Sequence, residues 1–254
     1  MSIGYKRKRN ERIVAQNLNS TLYSGELTCL IGANGVGKST LMRTMVAFQP
    51  ALTGEIRIND RNITTYSSRE LARIISIVST ERVEVGNLSV SELAGMGRSP
   101  YTGFWGTLKP EDEAIVQDAL RQAGISHLSD RPIETLSDGE RQKAMIAKAL
   151  TQQTSIVFLD EPTAFLDFPG KVEILQTLHH LSRTTGKTIF LSTHDLELAL
   201  QVADTLWLMD KAQGLTVGSP EKLVESGCLE NLFPDKNVIF DRSTYRFKIN
   251  KYHQ

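Results

Sequence analysis

The sequence predicts an α/β fold around a mainly parallel β-sheet, and three observations support this prediction. Short apolar runs alternate with longer amphipathic runs along most of the chain, as in folds whose strands are connected by helices. Several of the short runs are apolar without interruption, as expected for parallel strands that are buried on both faces. Between about residues 87 and 150 the strand pattern stops while helical patterns continue, which predicts a helical subdomain inserted in the α/β core.

The individual elements follow from the same periodicities. The predicted strands are residues 27–31, 55–58, 74–78, 156–159, 188–192 and 205–209. The predicted helices are residues 38–48, 67–72, 91–97, 110–124, 140–152, 170–184 and 195–203. A helix at residues 220–233 and a short antiparallel hairpin at residues 238–249 are predicted to form a C-terminal extension over about residues 219–254.

Composition excludes several classes of protein. Lys and Arg together number 29, as do Asp and Glu, in a chain of 254 residues, so no net charge draws the protein to nucleic acid or to an acidic membrane surface. No apolar run approaches the roughly 20 residues that span a bilayer. The cysteines, Cys29 and Cys228, lie far apart, which favours a reducing compartment. We expect one domain over residues 1–254, without a nucleic-acid partner.

A glycine-rich stretch lies between the predicted strand 27–31 and the predicted helix 38–48. Its sequence, GANGVGKS, matches G-x-x-x-x-G-K-[ST] in the strand-before, helix-after context that this P-loop motif requires. The glycines let backbone N–H groups turn towards an anion, Lys38 adds a charge for the β- and γ-phosphates, and Ser39 offers a hydroxyl to Mg²⁺. The predicted nucleotide-binding residues of this loop are Gly32, Ala33, Asn34, Gly35, Val36, Gly37, Lys38, Ser39 and Thr40. A turn that only caps a helix would not need the lysine and the hydroxyl.

A second candidate site is the apolar run 156–159, which is followed by two carboxylates, Asp160 and Glu161. Beside a phosphate-binding loop, Asp160 can hold Mg²⁺ and Glu161 can polarise an attacking water. For this stretch taken alone, two solvated acids at a strand end remain an alternative interpretation. The glycine-rich loop upstream favours the metal and water roles.

At this point the chain resembles, over nearly its whole length, the nucleotide-binding subunits of ATP-binding cassette (ABC) transporters. LSDGERQ at residues 136–142 is similar to the family's signature, which usually reads LSGGQ, and AFLD at residues 164–167 is similar to its D-loop. His194 is similar to the switch histidine, and Tyr5 to the aromatic residue that stacks on adenine. Several motifs in the family's order make this resemblance more specific than any one of them.

The resemblance implies an ATPase that uses ATP and Mg²⁺ and pairs head to tail as a homodimer. Each ATP would lie between the glycine-rich loop of one subunit and Ser137 and Gly139 of the other, at a helix N-terminus. Lys38, Glu161 and His194 would be the catalytic residues. Alternatives remain open: Ser137 as an ordinary helix cap, His194 as a polar strand end, and Tyr5 as a surface residue.

Three departures from the family pattern stand out. Thr80 occupies the place of a glutamine that contacts Mg²⁺ and water; Thr80 is predicted to act on the metal through a water, with Glu81 or no contact at all as alternatives. Asp138 replaces a signature glycine, which puts a possible negative charge near the phosphates. The family's usual first strand is expected to be missing or shortened, because the chain begins close to Tyr5.

The segment 87–106 most resembles subunits of importers of iron-siderophore, haem or cobalamin complexes. This implies a peripheral protein on the cytoplasmic face of a bacterial cell membrane, bound to permease subunits and served indirectly by an extracytoplasmic substrate-binding protein. The aromatic-rich loop 101–105 is expected to help form the permease groove, with burial against its own helices as the alternative. Competing functions are an ATPase of a soluble complex, such as iron-sulfur cluster assembly, and a weakly hydrolysing regulatory module.

Overall fold

A six-stranded sheet forms the centre of the molecule, in the spatial order β10-β9-β3-β8-β7-β6. In this computed structural model, residues 1–7, 10–79, 87–103, 106–211, 214–229, 238–242 and 244–249 are described. The strands of the sheet are β3 (Leu27–Gly32), β6 (Ile75–Val78), β7 (Ile156–Leu159), β8 (Thr188–Ser192), β9 (Thr205–Asp210) and β10 (Gly214–Gly218). All neighbouring pairs are parallel except β9 and β10. The predicted α/β fold with a mainly parallel sheet is confirmed.

The sheet is sandwiched between two apolar layers, which explains its uninterrupted hydrophobic strands. Alternate residues of β3 face opposite ways: Leu27, Cys29 and Ile31 join one cluster, and Leu30 joins the other. Every residue of β8 is buried. A strand that is buried on both faces needs apolar residues at successive positions, and this is the pattern that the sequence shows.

The helices match the predicted ones with shifted ends. They are α1 (Lys38–Met45), α2 (Ser68–Leu71), α3 (Val90–Gly95), α4 (Pro110–Gln122), α5 (Asp138–Thr151), α6 (Phe168–Thr185), α7 (Leu196–Val202) and α8 (Pro220–Ser226). Helix α1 ends before the predicted residue 48, because Ala47 takes a left-handed φ of 60°. Helix α8 ends at Ser226 and is capped by Gly227, which has a left-handed φ of 73°. Most of the predicted remainder, residues 230–233, lies outside the described part.

Between β6 and β7 the described residues contain helices and no strand. Helices α3, α4 and α5 surround an apolar cluster of their own, which includes Leu93, Leu120 and Ala147. Met145 of α5 packs against this cluster and also against the cluster on the sheet. The long helix α5 therefore connects the helical region to the sheet.

The short antiparallel pairs include two strands that the sequence patterns did not predict. Strands β1 (Ile3–Arg7) and β2 (Asn10–Ala15) pair ahead of β3, so the first strand, which was expected to be missing or shortened, is present with five residues. Strand β2 is largely exposed, which explains why no apolar run marks it. The remaining pairs are β4 (Arg57–Ile58) with β5 (Arg61–Asn62), and β11 (Val238–Asp241) with β12 (Arg246–Ile249), where the hairpin was predicted.

None of the helices in the described part of the chain combines the length and the apolar character needed to cross a membrane.

Candidate nucleotide-binding site

The order of the strands brings three predicted motifs to one edge of the sheet. Strands β3, β8 and β7 are parallel neighbours, so their carboxyl ends lie side by side. The glycine-rich loop follows β3, Asp160 and Glu161 follow β7, and His194 follows β8 by two residues. In open α/β sheets, ligands bind outside the carboxyl ends of the strands.

The glycine-rich loop needs glycine at both ends for different reasons. At Gly32 an added Cβ would lie 2.6 Å from the carbonyl oxygen of Met209 on the neighbouring strand β9. Gly37 caps α1 with a left-handed φ of 119°, and a Cβ there would lie 2.5 Å from Cγ1 of Val14. The loop therefore packs tightly against the sheet and against β2, and then leads directly into the N-terminus of α1.

Lys38 lies against the loop that contains it. Lys38 is only 6% exposed. Its Nζ donates to the carbonyl oxygens of Gly32 at 2.9 Å and Ala33 at 3.4 Å. Burial lowers the pKa of Lys38, while the nearby charges of Glu161 and Asp160 act in the opposite direction. The ammonium is thus electrostatically coupled to both carboxylates, and it sits where a phosphate bound by the loop would meet it.

A hydroxyl that sequence reasoning missed connects the carboxylate of Asp160 to the backbone of Glu161. Oγ of Ser192, the last residue of β8, donates to Oδ1 of Asp160 at 2.6 Å and accepts from the backbone N–H of Glu161 at 3.0 Å. The only signal in the sequence is a hydroxyl at the end of an apolar strand, two positions before His194. That signal acquires meaning only because β7 and β8 are neighbours.

Glu161 and His194 contact each other. Oε1 of Glu161 lies 2.5 Å from Nε2 of His194, an ion pair when the imidazole is protonated. Glu161 has a left-handed φ of 47°, a conformation that is uncommon for a residue with a side chain and that is found at functional sites. Both side chains remain partly exposed. The predicted water-activating carboxylate and its histidine partner are therefore within reach of a ligand.

Tyr5 lies beside the helix that follows the glycine-rich loop. Its hydroxyl shares a hydrogen bond with Oγ1 of Thr40 at 3.0 Å, and the residue is 45% exposed. The exposed area is available to a flat ligand group, while the hydroxyl holds the side chain near α1. Tyr5 is thus placed close to the loop despite its position on the first strand of the chain.

Ser137 and Gly139 lie at a different place, the first turn of α5. Ser137 is the N-cap: its Oγ accepts from the N–H of Glu140 at 3.3 Å, and the Glu140 carboxylate accepts from the N–H of Ser137 at 2.8 Å. The backbone N–H of Ser137, followed by its hydroxyl, lowers the pKa of Glu140. Because of this capping box the helix begins at Asp138 and not at the predicted Glu140. A Cβ added to Gly139 would meet nothing within 4 Å.

The two departures at this site differ in what the structure describes. Thr80 and Glu81 lie outside the described residues; Ser79, the last described residue before them, is exposed and directly follows β6, which is the neighbour of β7. Asp138 is described and exposed, in the first turn of α5. Its charge therefore lies next to the N–H groups of that turn.

The donor set at the sheet edge fits Mg²⁺ bound together with a nucleotide. Among the described residues, no group of three or more His, Cys, Asp or Glu side chains is arranged to hold a metal alone. Mg²⁺ is usually held by one or two carboxylates together with waters and substrate phosphates. Asp160, partly exposed, and the exposed hydroxyl of Ser39 meet this requirement.

Comparisons with known proteins give the family. Residues 15–164 match the family model for ABC transporters. The chain is 34% identical to the ferric enterobactin transport ATP-binding protein FepC of Escherichia coli, covering 95% of this chain and 88% of FepC. It is also 34% identical to the iron(3+)-hydroxamate import ATP-binding protein FhuC of Bacillus subtilis, covering 96% and 90%.

A solved structure gives the same answer for the fold. The chain superposes on cbiO1 of Clostridium perfringens, part of the ABC transporter complex cbiONQ, with a TM-score of 0.76 and 28% identity, over 90% of this chain and 94% of that one. The chain therefore belongs to the ABC transporter family, as an ATP-binding cassette with the P-loop NTPase fold and ATPase activity.

Proposed function

We propose that this ATPase powers the import of a metal chelate, namely a ferric siderophore, haem or cobalamin, through a membrane permease. The observation that carries the ATPase part is the meeting of Lys38, Asp160, Glu161 and His194 at the carboxyl edge of β3, β7 and β8. The names of two relatives, a ferric enterobactin and an iron-hydroxamate ATP-binding protein, support the chelate. They favour import over an ATPase of a soluble complex.

In the proposed reaction, a water attacks the γ-phosphorus of ATP and ADP leaves. The glycine-rich loop and the N-terminus of α1 hold the phosphates, Lys38 leaves its carbonyl partners to neutralise them, and the exposed ring of Tyr5 stacks on adenine. Glu161 accepts a proton from the attacking water. His194, which is already in contact with Glu161, orients the Glu161 carboxylate. Mg²⁺, held by Asp160 and Ser39, would stabilise charge on the phosphates.

Ser137 and Gly139 would complete the site across a head-to-tail homodimer. Both residues lie in the first turn of α5 rather than at the strand ends that carry Lys38 and Asp160. Ser137 is exposed, and the space that a Cβ of Gly139 would occupy is open, so the γ-phosphate of an ATP bound to a second copy can approach this turn. The observed capping box is compatible with this role, because further N–H groups of the turn remain to be satisfied.

The helical region is the part of the chain that we propose to dock on the permease. We infer one ABC ATPase domain over residues 1–254, with residues 87–150 as a helical subdomain and residues 219–254 as a C-terminal extension.

In the loop 101–105, Tyr101 packs inward, since its hydroxyl donates to the Gln152 carbonyl at 3.1 Å and Arg98 lies 4.0 Å from its ring centroid. These contacts favour the alternative of burial for Tyr101, which is half-buried, and its place in the permease groove stays a prediction. Phe104 and Trp105 lie outside the described residues and stay candidates.

The proposed location is the cytoplasmic face of a bacterial cell membrane, through contact with the permease. The absence of a spanning helix in the described residues is compatible with peripheral attachment. An extracytoplasmic substrate-binding protein would deliver the chelate on the other side, without contact to this chain.

Uptake of radiolabelled ferric siderophore by cells tests the proposal. Cells that lack this chain should lose uptake, wild-type protein should restore it, and Glu161→Gln should not. A soluble complex would instead leave uptake unchanged and the protein outside the membrane fraction. Normal uptake in cells that lack the chain, with haem and cobalamin uptake also normal, would overturn the transport proposal.

A further inference from the structure

Ser192 occupies the point where the three strands of the site meet. It ends β8, the strand between β3 and β7, and pairs with Leu30 in β3, while the preceding residue, Leu191, pairs with Leu159 in β7. Asp160, which follows Leu159, is therefore its lateral neighbour. Ser192 is completely buried, so its hydroxyl forms hydrogen bonds with protein atoms and not with bulk water.

The hydroxyl of Ser192 is fully committed to the two neighbouring acids. Its single proton goes to Oδ1 of Asp160 at 2.6 Å, and its oxygen accepts the N–H of Glu161 at 3.0 Å. A serine that needed only to satisfy its hydroxyl would do so with a nearby backbone carbonyl, as the equally buried Ser182 does with His179 at 2.8 Å. Ser192 instead joins the side chain of one acid to the backbone of the next.

Each of the two bonds fixes something that the proposed reaction needs. The bond to Oδ1 restricts the rotation of the Asp160 carboxylate, and a carboxylate with one hydrogen bond retains acceptor sites for a cation. The bond from the Glu161 N–H holds a residue whose φ is left-handed at 47°, a conformation that persists only where the surroundings impose it. The direction of the Glu161 side chain, towards His194, follows from that backbone.

We propose that Ser192 is a positioning residue that orients the metal-binding carboxylate of Asp160 and the water-activating carboxylate of Glu161 together. This inference rests on the proposed roles of these two acids. Loss of the hydroxyl would free the Asp160 carboxylate and would leave the Glu161 N–H without its partner. The phosphate-binding loop would stay intact, because Lys38 and the glycines hold it independently of Ser192.

The test compares Ser192→Ala with Ser76→Ala. Ser76, on β6 of the same sheet, is 1% exposed, and its hydroxyl accepts from Oγ1 of Thr154 at 2.9 Å, so both variants lose one buried hydroxyl. ATP affinity is measured by titration with and without Mg²⁺, together with thermal unfolding and turnover. Both variants should bind metal-free ATP like the wild type. In Ser192→Ala alone, the gain in affinity from Mg²⁺ and the turnover should fall about 10- to 100-fold, as for lost partners of metal ligands.

Ser192→Cys provides a second test in case Ser192→Ala does not fold. A thiol is larger than a hydroxyl and fills the space that alanine would leave empty, but it is a weak donor and acceptor, so the Mg²⁺ effect should fall in the same direction. An unchanged Mg²⁺ effect in Ser192→Ala or in Ser192→Cys, or an equal loss in Ser76→Ala, would overturn the positioning role. A wild-type protein without any Mg²⁺ effect would contradict the proposed metal site itself, which is a different result.

Discussion

The carboxyl edge of the sheet and the first turn of α5 carry the two halves of the proposed ATP site, and they differ in how complete they are. At the sheet edge, Lys38, Asp160, Glu161 and Ser192 already contact or influence one another within one chain. In the first turn of α5, Ser137 bonds to Glu140 of its own helix. One half is assembled by the fold, while the other would be completed only in the proposed head-to-tail homodimer.

The comparison also shows two ways of treating charge. At the sheet edge, the buried Lys38 lies near the charges of Glu161 and Asp160. This arrangement suits the binding of a polyphosphate together with its metal ion. The turn of α5 carries acidic residues, Asp138 and Glu140, which stabilise the positive end of their helix. An incoming phosphate has to share that helix end with these two carboxylates, whose negative charge opposes its approach. Association through α5 should therefore be more sensitive to the solution conditions than nucleotide binding at the sheet edge is.

The largest expected effect separates the two roles within the sheet edge. Lys38→Ala should weaken Mg-ATP binding at least about 30-fold, equivalent to about 2 kcal/mol, because a buried charge partner is lost. Glu161→Gln should keep binding and lower turnover about 10²- to 10⁴-fold, as for a lost general base. Nucleotide titration and phosphate release measure the two. The assignment fails if Lys38→Ala binds like the wild type or if Glu161→Gln turns over normally.

The second prediction addresses the incomplete half. Glu161→Gln should be monomeric alone and dimeric with Mg-ATP in sedimentation experiments, because hydrolysis no longer separates the subunits. Adding Gly139→Ala should weaken this dimer about 10- to 100-fold, since a methyl group would keep the phosphate from the N–H groups of the turn. The monomer should be unharmed or more stable by about 0.4–1 kcal/mol, because space around Gly139 is free.

Gly97→Ala is the contrasting control for that experiment. A Cβ at Gly97 would collide with the carbonyl oxygen of Lys148, so this variant should lower the melting temperature. If Gly139→Ala forms the ATP dimer as well as its parent does, or if a wild-type monomer hydrolyses ATP at full rate in saturating nucleotide, the two-chain site is wrong.

A third prediction extends the comparison to the membrane partner. Replacing both Phe104 and Trp105 by alanine should weaken association with the permease about tenfold, since aromatic anchors dominate interfaces, and should leave ATP affinity unchanged. Tyr101→Phe is the matched control, because it removes only the inward hydrogen bond to Gln152. Co-purification and ATP titration measure the effects. A double variant that unfolds would show that these aromatics belong to the core of the helical region.

The smallest expected effect is at Thr80. Thr80→Gln should raise the basal ATPase rate about two- to fivefold and sharpen its Mg²⁺ dependence, because an amide oxygen reaches the metal directly while a hydroxyl acts through a water. Glu81→Gln, measured in parallel with and without the permease, tests whether the neighbour supplies the oxygen. If both variants match the wild type under every condition, this loop has no metal role. The proposal that Thr80 causes a low basal ATPase rate then fails.

Local patterns were enough for the elements that the chain encodes continuously. Strands β7 and β8 have the predicted bounds, since uninterrupted apolar runs and turn residues mark both ends. Strands β1 and β2 were missed, because β2 is exposed along most of its length and β1 buries only Ile3 and Gly4 among its first four residues, which leaves little apolar pattern. The start of α5 was misplaced by two residues, because a capping box extends the helix back to Asp138.

The sequence by itself determined the α/β class, the glycine-rich loop, the acidic strand end and the family, since each depends on short patterns and on their order along the chain, not on which strands become neighbours. Only the tertiary structure decided that Ser192 bridges Asp160 and Glu161, that Tyr5 lies against α1, and that Tyr101 packs inward. The physical reason is the same for all three. A hydroxyl chooses its hydrogen-bond partner by proximity, and the spatial order of the strands, which brings distant residues together, is not encoded in any single stretch of the sequence.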